Sequence, residues 1–470
     1  MSSSGSMVAG SCAAGPCPAA SEMRDTNMTE KISGDAKQKP VNVHIALVGK
    51  QTYPVFLGIM ETHADRVILV CSDDTEREAN HVADVIGAGV CEVVKLPPDN
   101  IHSVIDGINE GIVSRMSDNG NYNYTVDISG GLKLWTVLVY KLLSRFSNLA
   151  FIYIDQSETI FDFTHTSQRK ARVCLDMDML FKLYEAKVNA YTPLSDFTDD
   201  DFRACTQIEE KIFSNREFIP VFDIMANPRG VNNRQGIRKD RFREIKEQDF
   251  NEKTYRLRKF TGSSLSYRHE CKDSEENGIK LSHADITVKN TSRTYTVSMD
   301  APHLRDVLFF AGWFDLFVAG MLAKWKPRSD IRLGVTFEYA NRNRPQNEID
   351  IIMNTGHRLL FVECKTSISD HTTELDKFIA AVRAYGGTGS MALFVSYFSI
   401  QGDALAKCQQ QGILPFSIED ARKEFWEEKK CDYHDLTGNE RKMMFMKRDV
   451  EVQRKLNTLL DGNLSKNNKK

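Results

Sequence analysis

From residue 41 onward the chain alternates short β-branched apolar runs with stretches whose apolar residues recur at helical spacing. The runs fall at 44–48, 67–71, 91–96, 124–128 and 150–154, and the helical patterns between them at 54–63, 76–86, 101–116 and 132–146. Strand and helix repeated in this way call for a parallel sheet covered on both faces, because parallel neighbours need a crossover and the crossovers lie on the faces. In such sheets ligands bind outside the carboxyl ends of the strands. The pattern predicts that this unit closes near Phe163.

Residues 176–190 read as a connecting helix. A second helix is expected over 199–213, where Asp199, Asp200 and Asp201 favour a helix N-terminus. The stretch 229–259 interleaves Arg234, Arg238, Lys239, Arg241 and Arg243 with Phe242, Phe250 and Tyr255. It reads either as a phosphate-binding face or, since Asp240, Glu244 and Glu247 dilute the charge, as an ordinary solvated one. Residues 263–280 are expected to form an exposed loop, and 284–289 with 293–299 alternate like a hairpin. A buried helix is predicted around 308–318, and a charged helix over 437–460. Residues 1–39 are rich in Ser, Gly and Ala and are expected to be disordered or foreign to the natural chain, with Met28 a candidate start.

Composition narrows this picture. With 470 residues, 41% hydrophobic and 27% charged, the chain has room for two to four folded domains. A net charge of -3 excludes a surface coated in positive charge, leaving only a local basic patch for nucleic acid. No apolar run approaches the length of a membrane span. Ten cysteines without a paired C-x-x-C spacing suggest neither a zinc site nor a disulfide framework, and fit a reducing cytoplasm.

The most informative segment is 347–366, NEIDIIMNTGHRLLFVECKT. It predicts a strand, a turn at 354–356 and a second strand over 358–364. The two-residue period sends Glu363 and Lys365 to one face and Val362 and Cys364 to the other. In register, Asp350 comes within reach of the same point. Convergent carboxylates suit a hard cation such as Mg²⁺ or Mn²⁺, and a nearby lysine can orient or help deprotonate the attacking water and offset transition-state charge. That is apparatus for phosphodiester hydrolysis. The bland alternative is a surface hairpin with salt bridges worth about 0 to 1 kcal/mol.

The Asp350, Glu363-Cys364-Lys365 spacing, followed by a helix at 372–385, a Gly386-Gly387 turn and a strand at 391–395, closely resembles the PD-(D/E)xK nuclease superfamily, with Ile349 where the signature has Pro. The resemblance implies catalytic Asp350, Glu363 and Lys365. It implies a metal site drawn from Asp350 and Glu363, completed by Asp315 of GWFDLF or by Glu338.

Two loops of the first half also stand out: Gly49-Lys50-Gln51-Thr52 before Pro54, and Ser129-Gly130-Gly131-Leu132-Lys133 opening a helix. Glycines there admit backbone amides to a phosphate at a helix N-terminus, and Lys133 adds charge. The arrangement resembles the CARF sensors of type III CRISPR systems, with Ser129 and Leu132 as departures from a T-G-G-T-K turn. The resemblance implies a Rossmann-like homodimeric sensor in which Gly49, Lys50, Gln51, Thr52, Ser129, Gly130, Gly131 and Lys133 bind cyclic oligoadenylate, most often cyclic tetra-adenylate.

Joined, the two resemblances imply an α/β chain of the CRISPR ancillary nuclease family, a CARF domain followed by a restriction-endonuclease-like α/β domain. The expected divisions are a leader (1–40), the sensor (41–175), a helical and basic connection (176–283), the nuclease (284–430) and a charged helix with tail (431–470). The expected activity is Mn²⁺- or Mg²⁺-dependent cleavage of DNA, RNA or both, triggered by the activator. Two alternatives are a non-catalytic sensor or nucleic-acid-binding regulator, and a sensor that hydrolyses its own activator. His357 and His371 read as structural, and Trp135 and Trp313 as core.

Overall fold

The computed structural model describes residues 39–116, 121–155, 157–214, 218, 253–256, 262–270, 281–289, 293–308, 312–338, 348–356, 358–366, 372–387, 389–430 and 436–466. The first half runs β1 (Val41–Leu47), α1 (Tyr53–Thr62), β2 (Arg66–Cys71), α2 (Glu76–Ile86), β3 (Cys91–Lys95), α3 (Ile101–Gly111), β4 (Tyr122–Asp127), α4 (Lys133–Leu143) and β5 (Leu149–Ile154). The strands pair in parallel in the order β3-β2-β1-β4-β5, so the chain reverses direction across the sheet between β1 and β4. Loops after β1 and β4 therefore meet at the switch point, where doubly wound sheets hold ligands. The unit does not close near Phe163: β6 (Thr159–Asp162) and β7 (Ser167–Lys170) extend the edge antiparallel.

The expected connecting helix is shorter than its pattern. α5 (Met177–Leu183) stops where Glu185 turns left-handed, at φ 52, and β8 (Val188–Pro193) follows. β8 joins the second sheet as an edge strand, where Pro193 costs no interior hydrogen bond. α6 (Asp199–Ser214) comes next, and then a small antiparallel sheet of β9 (Lys253–Arg256), β10 (Ser264–Glu270), β11 (Leu281–Lys289) and β12 (Thr294–Ala301). The hairpin of β11 and β12 matches its alternation. Within the expected loop at 263–280, Ser264–Glu270 is instead a strand, since a sheet with one solvated face tolerates a polar sequence that reads as loop, and 271–280 lie outside the described residues.

The second α/β layer contains α7 (Leu304–Leu308), α8 (Gly312–Trp325), β13 (Ile331–Phe337), β14 (Ile349–Asn354), β15 (Leu359–Lys365), α9 (Thr372–Tyr385), β16 (Met391–Ser396), α10 (Gly402–Gln411), β17 (Leu414–Ser417), α11 (Ile418–Lys429) and α12 (Gly438–Lys466). Its strand order is β17-β16-β15-β14-β13-β8, parallel on the β17 side and antiparallel on the other. β15 is central, which places its carboxyl end in the middle of the sheet.

Three apolar clusters hold the fold. Ile45, Leu47, Trp135 and Val139 pack one face of the first sheet. The other face, with Phe56 and Val82, continues without a break through Phe181 into Ile352, Phe361 and Phe378 of the second layer. The two halves thus share a core. On the far side, Trp313, Phe314, Val362, Ile208 and Leu456 close the second sheet against α6, α8 and α12. No described helix is long and apolar enough to cross a membrane.

Candidate functional site

The β14–β15 hairpin pairs Ile351 with Val362, and one step further along lie Asp350 and Glu363. β13 breaks its register at this level, with Gly334 at φ 57. Asp350 is anchored: the Cys364 amide donates to its Oδ2 at 2.8 Å. Lys365 Nζ bonds Glu363, lies 3.7 Å from Asp350 Oδ2 and donates to the Cys364 carbonyl at 3.1 Å. An ammonium thus occupies a ring of oxygens facing one point.

The first turn of α8 brings Asp315 to the same place. Carboxylate oxygens of Asp315 and Asp350 and the Cys364 Sγ lie within 4.8 Å of one another, with the two carboxylates 2% and 7% exposed. Of the two residues expected to complete the set, the fold brings in Asp315. Glu338 is exposed, and its amide donates to the Lys187 carbonyl at 2.7 Å. Since Val335 pairs with Ile349, Glu338 lies three residues, about 10 Å, past the start of β14.

Electrostatics fix the charge states. Burial works against the Lys365 ammonium, but Asp350 and Glu363 outweigh it, so the group stays charged above the usual lysine range. The Cys364 thiol is pushed well up by burial, reinforced by Asp315 and Asp350, and is neutral. The two buried carboxylates, with Glu363 and the Cys364 carbonyl both bonded to the Lys365 ammonium, suit a hard divalent cation, whereas the neutral Cys364 thiol beside them does not.

Sequence reasoning missed what holds this cluster in place. Tyr397 donates its amide to the Lys365 carbonyl at 2.8 Å, and its ring packs on Trp313 and Phe314 beside Asp315. Its hydroxyl accepts from Arg422 at 3.1 Å, and Arg422 and Arg448 share the buried Glu209 at 2.5 and 3.2 Å. α6, α11 and α12 are thereby tied beneath the site. Their partners lie up to 239 positions apart, so no local pattern could reveal them.

At the switch point of the first sheet, the two predicted loops touch. A Cβ on Gly130 would lie 2.3 Å from the Leu47 carbonyl oxygen and 2.9 Å from the Gly49 amide, and Gly131 adopts φ 73. These are positions only glycine fills without strain. Lys50, Gln51 and Lys133 are exposed around them, with Thr52 half-buried. Lys50 bonds Glu78 at 3.1 Å and also the Asp74 carbonyl. α4 begins with no side-chain cap, leaving its first amides to face the loops. Ser129 is committed inward: its hydroxyl bonds Asp127 and accepts from the Ile154 amide at 2.7 Å. Trp135 and Trp313 are core residues, as expected. His357, His371 and most of the basic stretch 229–259 lie outside the described residues.

Residues 304–420 match the family model for the Card1-like endonuclease domain. No curated protein matches the chain in sequence. Among solved structures, Can2 from Sulfobacillus thermosulfidooxidans in complex with cyclic tetra-adenylate superposes with TM-score 0.53 and 13% identity, over 80% of this chain and 95% of that one. Protein VC1899 from Vibrio cholerae gives TM-score 0.56 and 12% identity, over 80% and 94%. A type III CRISPR defence DNA nuclease activated by cyclic oligoadenylate reaches 0.45 and 16%, with 48% of that chain covered. At such identities the likeness is one of fold.

Proposed function

From the premise that this chain carries a Card1-like endonuclease domain on the two-part fold of Can2-like CARF–nuclease proteins, we propose that it is a metal-dependent nuclease switched on by cyclic oligoadenylate. The observation that carries this reading is the meeting of Asp315, Asp350, Glu363 and Lys365 at the carboxyl end of a central strand. The first sheet, residues 41–175, would be the sensor, and 284–430 the nuclease, with 176–283 between them and α12 packed behind.

In this reading Asp350, Glu363 and Asp315, with the Cys364 carbonyl, would hold Mn²⁺ or Mg²⁺. When bound, such an ion polarises phosphoryl oxygen and lowers the pKa of water. The chain's own groups do the rest. Lys365, bonded to Glu363 and 3.7 Å from Asp350, is placed to offset the negative charge that builds on the scissile phosphate. Asp350 keeps its orientation through the Cys364 amide and is almost fully buried.

At the other end, the Gly130-Gly131 turn and the uncapped start of α4 offer amides to a phosphate, and Lys50 and Lys133 supply charge. A cyclic tetra-adenylate has symmetry that two copies of these loops would match, which supports a homodimer. The substrate class is DNA, single-stranded or nicked duplex, with single-stranded RNA a further candidate. The test is cleavage of supercoiled plasmid, single-stranded DNA and single-stranded RNA in Mn²⁺ or Mg²⁺, with and without cyclic tetra-adenylate. Cleavage of at least one substrate that needs both metal and activator is expected; cleavage by native chain and Lys365→Ala alike would sink the reading.

A further inference from the structure

The turn of the catalytic hairpin is gripped from the first half of the chain, and the grip leads back to the loop after β1. Tyr53 opens α1 directly after Thr52, is 4% exposed, and donates its hydroxyl to Glu158 Oε1 at 2.7 Å. The same oxygen takes the Arg358 guanidinium. Arg358 is 5% exposed and immediately precedes β15, the strand that ends in Glu363 and Lys365. Glu158 itself sits in left-handed backbone at φ 62, a conformation costly for glutamate and retained where its surroundings over-determine it. Asp155 supplies that constraint, accepting from the Glu158 amide at 3.0 Å and the Thr159 amide at 2.8 Å.

We propose that Tyr53, Glu158 and Arg358 are positioning residues that transmit the state of the Lys50–Thr52 loop to the catalytic hairpin. This inference rests on the function proposed above and names how that site is regulated. One carboxylate oxygen shared by two buried donors cannot follow a displaced phenol without loosening the guanidinium. A buried guanidinium stripped of its carboxylate is costly, so the three groups shift together. Burial, reinforced by the charge of Glu158, drives the Tyr53 phenol far above its usual range, so it remains a donor throughout.

The lever is the strand. The seven residues of β15 span about 23 Å and are held in the sheet on both sides, so a shift at Arg358 is delivered to Lys365 rather than absorbed. The same turn is fixed by the Leu175 amide on the Gly356 carbonyl at 2.7 Å and by Asn354 on the Leu175 carbonyl at 2.6 Å. Lys326, following α8, donates to the Thr355 carbonyl at 2.8 Å, so the helix that carries Asp315 refers to this turn as well. Both halves of the candidate metal site are thus tied to one small loop.

The experiment uses the full-length protein with three variants: Tyr53→Phe, Glu158→Gln, and Glu158→Gln combined with Arg358→Met. Labelled cyclic tetra-adenylate binding and the ratio of stimulated to unstimulated cleavage in Mn²⁺ are measured, with thermal unfolding alongside. Glu158→Gln should lower the stimulation ratio roughly tenfold while activator affinity stays within about twofold, and Tyr53→Phe should show a smaller loss in the same direction. The double variant removes both charges and should recover stability without recovering stimulation, an outcome that a merely structural role does not give. Native stimulation in folded Tyr53→Phe and Glu158→Gln proteins would overturn the relay alone. A native protein that binds no activator or gains no cleavage from it would overturn the proposed function, and the relay with it.

Discussion

The loops of the parallel sheet and the hairpin of the mixed sheet differ first in their relation to water. At the switch point Lys50, Gln51 and Lys133 stand exposed around glycine turns, and Lys50 pairs with the half-buried Glu78. At the end of β15 the carboxylates of Asp315 and Asp350 are almost fully buried and a lysine is packed between acids. Solvated cations and a helix start without a side-chain cap suit reversible capture of a polyanion, which must also leave. Desolvated carboxylates suit chemistry, since charge acts most strongly where water is excluded. One chain can hold both because the shared core joins the sheets while keeping their reactive ends distinct.

The largest break in that comparison comes from the buried end. Lys365→Ala or Glu363→Gln should reduce stimulated cleavage by about 10³-fold or more, the scale of losing a positioned electrostatic group, and leave activator affinity unchanged. Loss of binding in those variants would show that the two ends are not separable. Next is the support under the hairpin. Glu209→Gln takes the paired carboxylate from Arg422 and leaves Arg448 only its neighbour Asp449, and should cost about 3–5 kcal/mol in urea denaturation. A cost under 1 kcal/mol would mean that Asp449, which also bonds Arg448, carries the pairing.

Much of this was legible in the chain. The five parallel strands, the crossover helices and the E-C-K strand follow from periods of two and 3.6, because their faces are buried in regular fashion. Asp350 and Lys365 could be placed together for the same reason. What the pattern hid was long-range or irregular. Val188–Pro193 became a strand only because β13 offers it an edge, and Ser264–Glu270 is too polar to announce itself. Glu338 follows β13 in sequence but overshoots the site, whereas Asp315 arrives from a helix. Tyr397 and Glu209 matter through contacts with no sequence signature.

A smaller effect probes the open end. Gly130→Ala forces a methyl against the Leu47 carbonyl and should cost about 1–3 kcal/mol. It should weaken activator binding more than it slows cleavage at saturating activator. An unchanged affinity would remove the turn from the binding surface.

The smallest effect is a pH dependence away from both ends. His303 pairs with the buried Asp201 at 2.9 Å. The Asp201 bond raises the histidine above its usual 6.5, against the opposing pull of burial. Burial pushes Asp201 up, but hydrogen bonds from His303 and Thr198 more than reverse it, leaving it below 3.8. A raised histidine stabilises below its unfolded value and loses that contribution as pH rises through the folded one. A depressed carboxylate loses its contribution as pH falls through its own lowered value. The melting-temperature difference between native and His303→Asn protein should therefore be greatest between about pH 4 and 6.5 and shrink above that window. A flat difference from pH 5 to 9 would dissociate the pair from stability.

The most direct measurement is the rate of single-stranded DNA cleavage in Mn²⁺ as cyclic tetra-adenylate is titrated, beside activator binding on the same preparation. An open sensor coupled to a buried active site predicts little cleavage without activator, a rise that saturates with binding, and binding but no cleavage in Lys365→Ala. Cleavage by the native protein that is indifferent to bound activator would contradict it.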